Sequence, residues 1–218
     1  KFGYVLSRHP MMHKLDFTWR FEAGTEYVCP IEQDLFQYIY ENNKTTSFSM
    51  ALYEYKETIP SLYHTVLEFA SQYSHWIKPF GNSSSLWAFL KILLPRSSMD
   101  IICGITFSFY TEEKYQAFFN FLDESNGIFY EQWGDPVIQS LAATLFLSKF
   151  DIHFWDTVGY RVANFFTHCP TEFKKCTCRP EQNFDFMVIA VCDFIFDCSY
   201  GVNLSCHLPS IETANYRM

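Results

Sequence analysis

The sequence predicts an α/β fold, and three observations predict it. Apolar residues recur at helical spacing in several windows, as at Leu62, Val66, Phe69 and Ala70. Short apolar and aromatic runs of strand length, such as residues 46–55 and 152–155, separate those windows. Residues 118–141 (FFNFLDESNGIFYEQWGDPVIQSL) pack an amphipathic helix, a break, an aromatic strand end and a second helix start into a few turns. Charged and aromatic residues held where a strand hands over to a helix are how α/β proteins build sites at a sheet edge.

In chain order, residues 15–21 read as a strand leading to Glu22, residues 32–41 as a short helix and residues 46–55 as a strand. Thr58 is placed to cap a helix carrying the Leu62 stripe, and Ser83 to Ser85 to cap another carrying Leu86, Phe89, Leu90 and Leu93. Thr111, with Glu112 and Glu113 in the positive first turn, opens a helix that runs through Leu122. Gly127 is expected to stop it. Ile128, Phe129 and Tyr130 then read as a buried strand end beside Glu131 and Trp133. Asp135 reads as an N-cap before Pro136, opening a helix through Lys149. No repeat or low-complexity linker divides residues 1–218, so one domain is expected.

A net charge of −8 argues against a nucleic-acid partner. No apolar run reaches membrane-spanning length. The 24 Phe and 14 Tyr supply mainly core. Eight cysteines fit an oxidising compartment. Sequons at Asn43-Lys44-Thr45, Asn82-Ser83-Ser84 and Asn203-Leu204-Ser205 point to the secretory pathway as well. His168 with Cys169, Cys176, Cys178 and Cys192 invites a zinc reading, but C-x-C lacks the paired knuckles of structural zinc, and disulfides are preferred. Cys29 is expected to find its partner outside this chain or to remain an odd thiol.

Five ordered motifs carry a resemblance: HPMMHKLDFTWRFEAG (residues 9–24), ENNKTTSFSMALYEYKETIPSLYHTVLEF (41–69), FYEQWGDP (129–136), DIHFWDTVGY (151–160) and CTCRPEQNFDF (176–186). The chain resembles the fungal Golgi α-1,2-mannosyltransferases of glycosyltransferase family 15. The resemblance implies part of a GT-A-type nucleotide-sugar glycosyltransferase fold, a mixed sheet flanked by helices, with its N-terminal portion upstream of Lys1. It implies transfer of mannose from GDP-mannose to α-mannosides on glycans or glycoproteins, with retention and with Mn²⁺. It also implies a Golgi-lumen, type II membrane protein whose anchor is absent from this sequence.

The resemblance assigns Glu22 to the metal, although the family's following proline is Ala23 here. The family's second ligand, a histidine just beyond the GY of DIHFWDTVGY, falls on Val162, and neither Arg161 nor Ala163 replaces it. His153 occupies a different motif position and reads as a core histidine. Residues 91–109 and 193–218 depart from the family pattern. The family's carboxylate falls near Cys103, where a neutral thiol cannot stabilise an oxocarbenium ion in the same way. Glu131, Trp133 and Asp135 keep their positions and are the acceptor-binding candidates, with a core plug as the alternative for Trp133. Gln139 stands where the family has a histidine. These departures make the 218-residue chain alone a poor catalyst on expectation. The alternatives are a catalytically dead member acting as a glycan-binding or complex subunit, or a truncated, misassigned fragment.

Overall fold

The computed structural model describes residues 8–20, 23–53, 56–77, 99–162, 166–170, 175–179, 181 and 183. Their larger sheet has the order β1 (Phe17–Trp19), β4 (Met99–Thr106), β3 (Thr46–Tyr53) and β5 (Ile152–Phe154). β4 runs antiparallel to β1 and β3, whereas β3 and β5 are parallel, with Thr46 opposite Ile152. β1, β3 and β5 therefore share one direction. The smaller sheet is antiparallel, in the order β2 (Thr25–Tyr27), β6 (Tyr160–Val162) and β7 (Phe166–His168).

The helices are α1 (Leu35–Glu41), α2 (Leu62–Gln72), α3 (Phe107–Thr111), α4 (Glu113–Glu124), α5 (Gly127–Tyr130) and α6 (Asp135–Phe146). In α2, Leu62, Val66 and Phe69 are fully buried, as the stripe predicts, and Thr65 joins them. α4 buries Tyr115, Phe118, Phe119 and Leu122 at the same spacing. α6 differs, because every residue from Val137 to Phe146 is buried. Such a helix is a core element, packed here against β4 and α4. Its hydroxyls avoid an orphan cost by bonding back along the helix, Ser140 Oγ to Pro136 O at 2.6 Å and Thr144 Oγ1 to Ser140 O at 2.6 Å. Phe69 joins the three helices, with its ring 5.0 Å from Phe118 and 6.2 Å from Phe146. Edge-to-face pairs of this kind contribute about 0.5–1.5 kcal/mol each beyond burial.

Several local expectations are corrected. Thr58 ends a 3-10 turn (Lys56–Thr58), and Ser61 holds the N-cap position of α2. Thr111 closes α3, its hydroxyl bonded to Ser108 O, and Glu112 precedes α4. The helix expected after Ser83 to Ser85 lies outside the described residues. Residues 128–130 form a helical turn instead of a strand end, and Phe129 and Tyr130 are 68% and 87% exposed. Apolar character did not decide burial here, since only Ile128 of the three faces the core.

Gly127 does not end α4. The left-handed residue is Asn126, at φ 64°, and Gly127 begins α5. Its lack of a side chain matters for another reason. A Cβ there would sit 2.1 Å from Cζ2 of Trp133, whose ring is fully buried and has nowhere to move. Gly24, by contrast, takes φ +80° with open space around it.

Gly127→Ala is expected to cost about 1–3 kcal/mol through overpacking, and Trp133→Leu in the same chain should recover part of that loss. Gly24→Ala should cost about 1–2 kcal/mol from its backbone alone, with no recovery from Trp133→Leu. Denaturant unfolding of the two double variants separates the causes.

Candidate functional site

The carboxyl ends of co-directional strands are where open α/β sheets place their sites. At that end β1 stops at Trp19, and the next residue, Arg20, sends Nη1 to within 3.8 Å of Asp135 Oδ2. Asp135 is the first residue of α6. This corrects the capping expectation: Gly134 holds the N-cap position and no side chain caps the helix. With Pro136 in the second helical position, the Asp135 carboxylate is turned outward to Arg20. Its charge still suits the positive end of the helix. Burial, with the Asp135 charge added, pushes the Tyr115 phenol far above its ordinary range, so Tyr115 stays neutral beneath the pair.

Glu131 is committed to the framework. Its Oε2 accepts from Trp133 Nε1 at 2.8 Å and from the Ser61 backbone N–H at 3.1 Å, tying the start of α2 to the loop before α6. Burial opposes its charge, but the hydrogen bonds from Ser61 and Trp133 outweigh that and hold the carboxyl below its ordinary value. Trp133 is fully buried against Gly127. The core-plug reading therefore describes its position. Gln139 is also buried one helical turn after Asp135, and its Nε2 has no hydrogen-bond partner among the described residues.

A polar and aromatic group joins β1 to the second sheet. Trp19 Nε1 donates to Tyr27 Oη at 2.9 Å, Tyr27 packs on Tyr160 at 5.7 Å between ring centroids, and Tyr160 Oη lies 2.9 Å from Thr25 Oγ1. The register of β2 and β6 sets Val162 opposite Thr25. Glu22 lies outside the described residues. Cys103 lies in β4 opposite Phe48.

Among the described residues, Val162 has an apolar side chain and offers no ligand atom. Among them, the one cluster of three potential ligands is Cys29, Cys176 and Cys178. Those sulfurs are used in disulfides, Cys29–Cys176 and Cys169–Cys178. The disulfide expectation thus holds, and the expectation for Cys29 is corrected, since its partner is within the chain. β2 and β7 both end at this edge, and the 175–179 segment crosses it, with Thr177 N–H donating to Val28 O at 2.7 Å. Gly159 fits beneath, where a Cβ would lie 2.3 Å from Cys29 Sγ. His168 bonds Asp156 O through Nε2 at 3.2 Å and is not in the cysteine cluster. Cys192 lies outside the described residues.

His153 sits in β5, with its ring 4.6 Å from that of Tyr38 and 4.3 Å from that of Trp155. Burial, aided by the Lys44 charge, lowers its pKa to about 4. It is a neutral packing histidine. Sequence reasoning missed Arg20, although the Trp-Arg of the first motif carried the signal.

A family model described as Glycolipid 2-alpha-mannosyltransferase matches residues 2–197. The chain is 34% identical over 194 residues to Glycolipid 2-alpha-mannosyltransferase 2 of Candida albicans, covering 82% of this chain and 40% of that protein. It is 31% identical over 195 residues to the O-glycoside alpha-1,2-mannosyltransferase omh1 of Schizosaccharomyces pombe, covering 82% and 47%. The structure superposes on that of the Saccharomyces cerevisiae mannosyltransferase Ktr4p with a TM-score of 0.73 and 27% identity, over 84% of this chain and 51% of that one. Core-mannan synthase A of Aspergillus fumigatus, in its Mn/GDP form, gives 0.71 and 25%, over 81% and 50%. The chain spans about half the length of the curated relatives it matches.

Glu131→Gln is expected to destabilise the fold by about 1–2 kcal/mol, because it weakens two hydrogen bonds to a charged acceptor. Chemical unfolding at neutral pH reads this directly.

His153 gives a pH signature. Its pKa is lowered in the fold, so the unfolded chain takes up the proton first. Stability is complete above about 6.5, falls as pH drops toward about 4, and levels off below that. Screening of the partly exposed ring limits the loss to roughly 1–2 kcal/mol. His153→Phe should flatten the dependence of Tm on pH in that window.

Proposed function

This chain belongs to the glycolipid 2-alpha-mannosyltransferase family, and from that premise we propose that it forms part of an enzyme transferring mannose from GDP-mannose to α-mannoside acceptors on glycans or glycoproteins. The new linkage is α-1,2, made with retention. The bond from the mannosyl anomeric carbon to the diphosphate oxygen breaks, a bond from that carbon to the acceptor oxygen forms, and GDP leaves with the electron pair while its freed phosphate oxygen takes up the acceptor hydroxyl's proton. The observation that carries the reading is the Arg20–Asp135 pair at the carboxyl end of β1 and the start of α6. A fixed cation there compensates the charge of a departing diphosphate, and the carboxylate has the chemistry to hydrogen-bond sugar hydroxyls. Asp135 is the acceptor-binding residue best placed to act. Glu131 and Trp133 support it from behind, through the loop that precedes α6.

The Aspergillus relative is described in a Mn/GDP form, and Glu22 is the residue proposed to meet Mn²⁺ in this chain. When bound, the cation would supply charge to the diphosphate. Val162 contributes no ligand, so affinity is expected to be weak. The proposed setting is the Golgi lumen. Among the described residues no helix is long and apolar enough to cross a membrane.

A second reading, a catalytically dead member that binds glycans or stabilises a complex, is favoured by one observation. Val162 faces Thr25 in the strand register where the resemblance expects a histidine.

The test is transfer of labelled mannose from GDP-mannose to an α-mannoside by the full-length protein, titrated with Mn²⁺. Turnover is expected, with Asp135→Ala lowering it by roughly a hundredfold while the fold is retained. Val162→His should shift the Mn²⁺ dependence to lower concentration. No turnover in the wild type, with α-mannoside binding intact, would select the dead-member reading.

A further inference from the structure

We infer that Asn43 is an N-glycosylated residue whose glycan projects from the end of the fold opposite the Arg20–Asp135 rim. The sequence supplies Asn43-Lys44-Thr45, an acceptor tripeptide without proline. The tripeptide alone is a weak signal. The turn that carries it and its surroundings add the rest.

α1 ends in a left-handed residue, and that residue is Asn43, at φ 49°. Its N–H bonds to Tyr40 O at 3.2 Å and the Lys44 N–H to Ile39 O at 2.9 Å, the pair of bonds that closes a helix through a left-handed residue. The backbone is therefore held by its own hydrogen bonds, and the exposed Asn43 side chain makes no hydrogen bond among the described residues. Its amide is not needed by the fold and points to solvent from a fixed turn.

Two exposed rings flank the turn. Tyr40 is 73% exposed and Phe150 is 65% exposed. Phe150 is tied to the site through its carbonyl, which accepts from Lys44 Nζ at 2.7 Å. Large rings left in water beside an acceptor asparagine are suited to pack on the apolar face of the first sugar. The two disulfides place the protein in an oxidising compartment, where attachment can occur.

The position leaves the candidate site open. Asp135 begins α6, whereas Thr45 N–H bonds to Asp151 O at 2.7 Å, just beyond the far end of that helix. Twelve helical residues separate the two ends by about 18 Å at 1.5 Å per residue.

The test is peptide mapping of the full-length protein recovered from the cells that make it, with and without a peptide N-glycosidase in heavy-oxygen water. The Asn43 peptide should be absent at its unmodified mass before digestion. Afterwards it should appear with a heavy-oxygen aspartate at position 43. Thr45→Ala, which keeps Asn43 and its turn, should give the unmodified peptide. An unmodified Asn43 in the wild type, or modification that persists in Thr45→Ala, overturns the assignment. In the same samples, glycan removal should lower Tm in the wild type by more than in Tyr40→Ala. Equal shifts would overturn the ring contact.

Discussion

Trp133 is the constraint on which the arrangement around the rim depends. Its indole lies against the bare backbone of Gly127, and its N–H is bonded to Glu131, which also holds the Ser61 N–H. These contacts bring α2, α5 and the first residue of α6 to one place. A fully buried indole brings a large apolar area, and its one polar atom is satisfied. Asp135 follows two residues later, so its approach to Arg20 is set by a wedge that has no access to solvent. Mutations of Glu131 or Gly127 therefore reach the rim through this packing.

The second sheet is secured in another way. β2, β6 and β7 are three-residue strands, too short to persist on ladder hydrogen bonds alone. Cys29–Cys176 and Cys169–Cys178 clamp the ends of the two outer strands onto one crossing segment. The first bridge links residues 147 apart in sequence and so restricts the unfolded chain strongly. The register that places Val162 opposite Thr25 is thereby fixed from the neighbouring edge.

Periodicity found the helices that have a buried stripe. α2 and α4 pack as their spacing requires, because one apolar face on a regular helix has a single sensible orientation. It failed where the chain is short and aromatic. Residues 128–130 are apolar enough for a strand, yet Phe129 and Tyr130 face solvent, since only one side of a helical turn meets the core. Helix starts were displaced by a few residues for a related reason. Thr58, Thr111 and Asp135 all have capping chemistry, but caps depend on the preceding backbone angles, and Ser61, Glu112 and Gly134 hold those positions.

The sequence by itself determined the family, the α/β class and the preference for disulfides over zinc. All three follow from residue identity and local spacing. Only the tertiary structure decided that Cys29 pairs with Cys176, that Arg20 meets Asp135, that Glu131 bonds both Trp133 and Ser61, and that Asn43 is exposed on a closed turn. These join residues distant in sequence, or depend on which face of a short element is covered. Residue spacing cannot encode such facts, because they arise from the packing of α6 against the sheet and of Trp133 against Gly127.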